Sequence, residues 1–228
     1  MKRAEKIMGL LVLLMTALGT RITGDAYLKT QGEVQVESGV IVIDPGHGGK
    51  DPGKVGCHNE IEKDINLAIA MLVVEQLEEK GFEVILTRSA DTTATGIYDS
   101  TKNEDMQKRV SIINEAKPVC CVSIHQNSYT QSGVRGAQTF FYPDSEESKK
   151  LANCIQRALI ERADPNNTRK IKENKDYYLL KQTTCPTVIV ECGFLSDEDE
   201  SLKLKDPAYQ SLLATAIVEG ILEYVDSK

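Results

Sequence analysis

Three side chains with acid–base or metal-binding chemistry stand at the ends of apolar runs that are typical of buried strands. They are His47, His125 and Glu191, which follow the runs 40–43, 119–124 and 187–190. Glycines flank His47, so the backbone can turn tightly there and leave space around the imidazole. Histidine and glutamate are zinc ligands and acid–base groups. Together the three residues predict a zinc hydrolase site, although His47 taken alone is equally consistent with a surface loop.

The segments between these residues indicate how they are positioned. From Gly39 onward, strand patterns alternate with helix patterns, which predicts an α/β fold: one domain with a twisted, mostly parallel (mixed) sheet of about six strands and helices on both faces. The predicted strands cover 40–43, 82–88, 119–125, 137–142, 177–180 and 187–191. The predicted helices cover 65–77, 104–116, a stretch starting at Ser145, and 209–225, and an exposed loop is predicted over 164–176. Functional groups gather at the carboxyl ends of parallel strands, so we expect the three residues at one edge.

A catalytic zinc needs a third protein ligand, and the best candidate is Glu62 in the segment Glu60–Leu67. Glu62 falls in the first turn of the predicted helix, and Asn66 follows four residues later, where its amide can orient the Glu62 carboxylate. A helix start enriched in acids to complement the helix dipole explains the same residues without a metal. Both readings stay open on the pattern alone.

Two further polar residues follow predicted strands. Asn127 is a candidate for orienting His125 or a substrate group, and a local turn hydrogen bond is an equal alternative. Arg88 is a candidate partner for a substrate carboxylate, with a structural ion pair as the alternative.

Composition excludes one class of partner. A net charge of -7 argues against a surface that binds phosphates, and the absence of Trp with only 4 Phe leaves little for base stacking. No nucleic-acid partner is therefore expected.

The N-terminus differs in character from the rest of the chain. Lys2, Arg3 and Lys6 precede the uncharged run 7–20, a pattern typical of a signal peptide and short for a membrane-spanning helix. We expect residues 1–24 to be a signal peptide or membrane anchor, 25–38 a spacer and 39–228 the folded domain. Export follows, with a membrane tether through residues 7–20 as an option.

The 6 cysteines show no C-x-x-C spacing, so they give no support for a thiolate zinc site. Cys120 and Cys121 are adjacent in a predicted strand and should point to opposite faces. An exported protein can form disulfides, but buried thiols that behave as small apolar residues are the expectation.

Five segments, in order, resemble the zinc-dependent N-acetylmuramoyl-L-alanine amidases of the type-3 family. They are Asp44–Gly53, Glu62–Leu67, Thr87-Arg88, Ser123–Asn127 and Val190–Ser196. The resemblance covers about residues 40–225, so it implies that 39–228 is a type-3 amidase catalytic domain.

The resemblance implies a role for each principal residue. His47, Glu62 and His125 correspond to the ligands of one zinc ion, and Glu191 corresponds to the catalytic glutamate. The substrate is then peptidoglycan, and the bond cut is the amide between the lactyl group of N-acetylmuramic acid and L-alanine of the stem peptide.

The short form of the chain resembles the spore-cortex branch of that family. Only ten residues separate His125 from Gly136, too few for the inserted helix that plugs the site in some relatives. The branch implies removal of stem peptides so that a cooperating deacetylase can form muramic-δ-lactam, in the intermembrane space of the forespore. Because the chain has no wall-binding module of its own, an accessory protein is a further expectation.

Two alternatives compete with this interpretation. One is a non-catalytic domain that binds peptidoglycan, which would have no need of Glu191. The other is a zinc carboxypeptidase acting within the stem peptide, which product masses would distinguish.

Overall fold

The computed structural model describes residues 39–131 and 133–228, so the expected signal or anchor and spacer lie outside the described residues. Its six strands are β1 Ile41–Pro45, β2 Val84–Leu86, β3 Cys120–Asn127, β4 Gln138–Phe141, β5 Lys172–Glu173 and β6 Thr187–Phe194. Its helices are α1 Glu62–Glu79, α2 Lys102–Ala116, α3 Glu146–Arg162, α4 Tyr178–Gln182, α5 Glu198–Lys205 and α6 Pro207–Asp226.

The strands form one mixed sheet in the order β2-β1-β3-β6-β4-β5. Strands β2, β1, β3 and β6 are parallel, while β4 runs antiparallel to β6 and β5 runs parallel to β4. This confirms the predicted α/β fold with a mostly parallel sheet. The carboxyl ends of β1, β3 and β6 therefore lie side by side at one edge of the sheet, which is where the sequence analysis predicted the site residues.

Alternation along the strands divides the apolar residues between two cores. Ile41, Ile43 and Cys120 belong to the larger core, which α1, α3 and α6 cover, whereas Val42 and Cys121 belong to a smaller core beneath α2 and α4. Cys120 and Cys121 thus point to opposite faces, as predicted. All six cysteines lie in the described residues as free thiols: Cys120, Cys121 and Cys192 are buried, Cys154 and Cys185 half-buried, and Cys57 exposed.

Three local predictions differ from the structure. Residues 177–180 do not form a strand; most of them belong to α4, a single turn of helix from which Leu179 and Leu180 are buried in two different apolar clusters. The expected exposed loop 164–176 contains β5 and the buried Asn167, whose amide donates to the Ala137 carbonyl. Helix α5 was not predicted; the Asp197 side chain accepts from the Glu200 N–H at its start, which is the signal that marks it.

Within the described residues, no helix combines the length and apolar character that crossing a bilayer requires.

Gly220 sets the distance between α3 and α6. A Cβ at this position would lie 2.5 Å from Ile155 Cα and 2.7 Å from Ile155 N. Glycine-to-alanine changes in helices usually stabilise by about 1 kcal/mol, but this overlap involves backbone that cannot swing aside. We expect Gly220→Ala to lower the free energy of unfolding by about 1–3 kcal/mol. Urea unfolding monitored by circular dichroism measures the change. Ser211→Ala, at an exposed position of α6, is the control; an unchanged midpoint for Gly220→Ala would contradict the prediction.

Candidate metal centre and active site

A cleft of about 440 Å³ lies over the carboxyl ends of β1, β3 and β6. Helix α2 contributes Met106 and Arg109 to its lining, α4 contributes Tyr178 and Leu179, and the sheet contributes Ile189 from β6. The four residues that the sequence analysis predicted as metal ligands or as the catalytic group all line this cleft: His47, Glu62, His125 and Glu191.

The ligand atoms of His47, Glu62 and His125 lie within 4.8 Å of one another. Glu62 Oε1 is 3.2 Å from His47 Nε2 and 3.0 Å from His125 Nδ1. The two imidazole rings meet edge to face, with centroids 5.0 Å apart. Ligand atoms bound about 2.1 Å from a tetrahedral zinc are about 3.4 Å apart. The donor types and their spacing therefore fit one such ion.

Backbone conformation aims the two histidines at Glu62. His47 has a left-handed φ of 59° between Gly46 and Gly48. A Cβ on Gly46 would come within 2.3 Å of His125 Nε2, so only glycine lets that ring approach the loop. The Asp51 carboxylate accepts from His47 Nδ1 at 2.8 Å, which leaves Nε2 directed at Glu62. Sequence reasoning missed Asp51; the available signal was a carboxylate four residues beyond a histidine in a glycine-rich turn.

Glu62 is fixed by hydrogen bonds from two other segments and from its own helix. The side chain is 2% exposed, Lys54 N–H donates to Oε2 at 2.8 Å, and Gln126 N–H donates to Oε1 at 3.1 Å. Asn66 Nδ2 lies 3.3 Å from Glu62 Oε1 and also donates to the Gly46 carbonyl at 3.2 Å. Asn66 thus joins α1 to the loop that carries His47.

Neighbouring charges and hydrogen bonds keep the Glu62 carboxylate ionised. Burial alone would raise the pKa of Glu62, but hydrogen bonds and charges from His125 and His47 outweigh burial and hold that pKa well below its usual range. Burial alone would lower the pKa of His47, and Glu62 reverses the direction, so the pKa of His47 is raised. The carboxylate is therefore ionised at neutral pH, as a metal ligand must be.

Glu191 stands beside His125 on the neighbouring strand, paired with it in register. The residue is 7% exposed, and Glu191 Oε2 has no hydrogen-bond partner among the described residues. Burial is the main cause that raises the pKa of Glu191 to about 7, and the nearby Glu62 charge adds to it. A carboxylate with this pKa and a free oxygen can accept and return a proton.

A buried ionic network supports the cleft from below. Asp44 and Arg109 are both 2% exposed, with Arg109 Nη1 2.6 Å from Asp44 Oδ1. Thr87 and Ser123 hydroxyls each donate to the Asp44 carboxylate at 2.5 Å. Burial alone would raise the pKa of Asp44, but the Arg109 charge and these hydrogen bonds lower it to about 2. Arg109 Nη2 also donates to the His47 carbonyl at 2.5 Å, so the network holds the histidine loop.

The two weaker candidates are placed differently. Arg88 is 4% exposed and does not line the cleft. Its guanidinium donates to the carbonyls of Pro45, Gly46, Lys63 and Ala90. These contacts use four of its five N–H donors, so Arg88 stabilises loops where the sequence predicted a substrate contact or an ion pair. Asn127 does line the cleft, and its Oδ1 accepts from Ser128 N–H at 2.8 Å, the local turn alternative.

A family model and the sequence of a known protein both match this chain, and both are described as N-acetylmuramoyl-L-alanine amidases. The family model described as N-acetylmuramoyl-L-alanine amidase matches residues 41–223. The germination-specific N-acetylmuramoyl-L-alanine amidase of Bacillus subtilis is 39% identical over 193 residues, which are 83% of this chain and 81% of that protein.

Two solved structures extend the comparison to the fold. The CwlD amidase of Clostridioides difficile, solved in complex with the GerS lipoprotein, has 41% identity and a TM-score of 0.79, covering 83% of this chain and 100% of that chain. The catalytic domain of the CwlV amidase of Bacillus (Paenibacillus) polymyxa var. colistinus has 34% identity and a TM-score of 0.70, covering 83% and 99%. With the motifs, the fold and the family match in agreement, this chain belongs to the N-acetylmuramoyl-L-alanine amidase family and is an enzyme of that class.

Proposed function

We propose that the chain is a zinc-dependent peptidoglycan amidase that cleaves between the lactyl group of N-acetylmuramic acid and L-alanine of the stem peptide. The observation that carries this proposal is one cleft that holds both a histidine–glutamate–histidine cluster and a buried carboxylate with a free oxygen. His47, Glu62 and His125 would hold the ion. When bound, zinc polarises the scissile carbonyl and lowers the pKa of a coordinated water.

The residues of the chain supply the proton transfers and the positioning. Glu191 accepts one proton from the attacking water, whose oxygen bonds to the carbonyl carbon. As the carbon–nitrogen bond breaks, Glu191 delivers that proton to the nitrogen, so the products are a lactyl carboxylic acid and a free L-alanine amine. Asp51 orients His47, and Asn66 orients Glu62, so that both ligands keep one geometry through the cycle.

The biological setting that we propose is spore cortex maturation. The similarity to a germination-specific amidase of Bacillus subtilis and the short connection after His125 support this setting. In this setting, amidase cleavage is a step toward muramic-δ-lactam, and a deacetylase acts on the exposed muramic acid. A relative solved in complex with a lipoprotein supports an accessory protein for this chain too.

Peptidoglycan lies outside the cytoplasmic membrane, so this function requires export. The positively charged and apolar segments within residues 1–24 would provide it, as a cleaved signal or as a tether through residues 7–20. The protein would then act at the cell wall, and in a sporulating cell in the intermembrane space of the forespore.

Mass spectrometry of digested peptidoglycan tests the proposal. The zinc-loaded chain should release intact stem peptides with a free L-alanine amine. Shortened stem peptides still attached to glycan would indicate a carboxypeptidase instead. If zinc binds stoichiometrically and nothing is released, the digestion is repeated with the accessory lipoprotein of the same organism; continued absence of products would indicate a binding domain.

Removing Asp51 should weaken metal binding. The Asp51→Ala variant loses the carboxylate that fixes the His47 tautomer, and loss of such a partner lowers metal affinity about 10–100-fold. Competition with a chromogenic chelator measures the zinc dissociation constant. Asp99→Ala is the matched control, because Asp99 is a 68% exposed carboxylate that pairs with Lys50 rather than with a ligand. Equal affinities for the two variants would rule out this role of Asp51.

A further inference from the structure

Tyr177 forms part of the cleft wall immediately before α4. Asn174 Oδ1 accepts from Tyr177 N–H at 2.9 Å and fixes the backbone there. The Tyr177 ring packs edge to face on Phe140, with centroids 5.7 Å apart, against an apolar cluster that includes Ile189. Ile189 and Glu191 are two residues apart on β6 and so share one face of the strand. This packing places the Tyr177 ring over the part of β6 that leads to Glu191.

The hydroxyl of Tyr177 is available for a ligand. Tyr177 lines the same cleft as Glu191 and Glu62, and its phenol has no hydrogen-bond partner within residues 39–131 and 133–228. Glu191 Oε2 is also unpartnered there, so the phenol does not serve to hold Glu191. Burial, with smaller contributions from the charges of Glu191 and Glu62, raises the pKa of Tyr177 to about 12. The phenol therefore carries its proton at neutral pH and can donate it in a hydrogen bond.

The carbonyl oxygen of a substrate amide gains negative charge as water adds, and a hydrogen-bond donor would stabilise that charge in addition to the polarisation that zinc would supply. Asp51 and Glu191 can only accept when ionised, and Arg109 and Ser123 already donate to Asp44. Lysine side chains from positions 54 and 102 also line the cleft, but both are exposed. Asn127 Nδ2 and the Tyr177 phenol remain as half-buried donors without a hydrogen-bond partner among the described residues, and of the two the phenol belongs to a ring that packing holds in place.

We propose that Tyr177 is a second catalytic residue, whose hydroxyl donates a hydrogen bond to the scissile carbonyl oxygen in the transition state. This inference rests on the proposed function and adds to it the protein group that recognises the developing charge. The hydrogen bond transfers no proton, so the phenol remains protonated throughout and Glu191 alone carries the proton from water to nitrogen.

Steady-state kinetics of Tyr177→Phe on a soluble glycan–peptide fragment tests the inference. The variant keeps the ring and its contact with Phe140 and removes only the hydroxyl. Loss of one such donor lowers kcat about 100-fold, and we expect that loss with KM, zinc content and thermal midpoint close to parental values. Tyr142→Phe is the matched control, since Tyr142 packs on the same apolar cluster as Tyr177 but does not line the cleft. Its kcat should stay near the parental value.

The remaining outcomes overturn the inference in distinguishable ways. A parental kcat for Tyr177→Phe, with or without a raised KM, would show that the hydroxyl has no role in the transition state. Equal losses in Tyr177→Phe and Tyr142→Phe would assign the effect to general disturbance of the apolar cluster on which both tyrosines pack. A parent enzyme that releases no free L-alanine amine would overturn the proposed function and this inference together.

Discussion

Glu191→Gln should greatly reduce amidase turnover while leaving zinc binding intact. The glutamine keeps the shape of the side chain but cannot accept a proton from water, so we expect kcat to fall about 10²–10⁴-fold. Glu191 is not one of the three clustered ligand residues, and zinc content should therefore match the parent. Release of L-alanine amine from peptidoglycan, together with metal analysis of the same sample, measures both quantities.

Two controls accompany this experiment. Glu173→Gln changes an exposed carboxylate on β5, at the edge of the same sheet, and should retain parental activity. A Glu191→Gln enzyme with activity within a few-fold of the parent would show that another group carries the proton.

In the metal-free protein, Glu191→Gln should also change how the free energy of unfolding depends on pH. The pKa of Glu191 is raised from 4.5 to about 7 on folding, so between these pH values the folded state holds a proton that the unfolded chain releases. Stability therefore falls as pH rises through this window, by about 3 kcal/mol. Glu191→Gln should lack that fall when unfolding free energies are measured with a chelator present. Catalytic competence thus comes with a cost in stability at neutral pH.

Arg109→Met should be the most destabilising of the substitutions considered. It leaves the Asp44 carboxylate charged and buried without its main partner, and breaking a buried ion pair costs about 3–5 kcal/mol. It also removes the hydrogen bond to the His47 carbonyl, so zinc affinity should fall with stability. Urea unfolding of metal-free and zinc-loaded protein separates the two effects.

The control for Arg109→Met is the same substitution at an exposed arginine. Arg157 is 54% exposed and pairs with Glu223, and exposed ion pairs contribute less than about 1 kcal/mol, so Arg157→Met should change stability little. The double variant Arg109→Met with Asp44→Asn should be more stable than Arg109→Met alone, because no buried charge is then left unpaired. An Arg109→Met variant as stable as Arg157→Met would refute the importance of the network.

The sequence predicts the parts of the fold that depend on a repeated pattern. The alternation at Cys120 and Cys121 assigned their faces correctly, since a strand with both faces covered leaves only two directions for a side chain. The strand predicted over 177–180 was wrong, because four apolar residues fit a strand or one helical turn equally well. Only the tertiary contacts of Leu179 and Leu180 decide between them.

In the candidate site, too, some residues could be predicted from the sequence and others only from tertiary contacts. His47, Glu62 and His125 could be selected because their residue types carry metal chemistry, and the parallel sheet brings two of them to one edge. Arg109 could not be selected, because a buried arginine in the middle of a helix has the same sequence pattern as a solvated one. Tyr177 was likewise hidden, since the role proposed for it depends on packing against Phe140 and on a hydroxyl without a partner among the described residues.

The six free cysteines also determine how the protein tolerates oxidants. Oxidation and disulfide exchange proceed through the thiolate, and burial raises the pKa of the Cys120 thiol to about 12. Burial raises the pKa of Cys121 and Cys192 as well, so almost no thiolate forms in the cores. Cys57 is the exposed thiol, and oxidative modification should therefore begin there. The three buried thiols are thus protected from oxidants for as long as the domain stays folded.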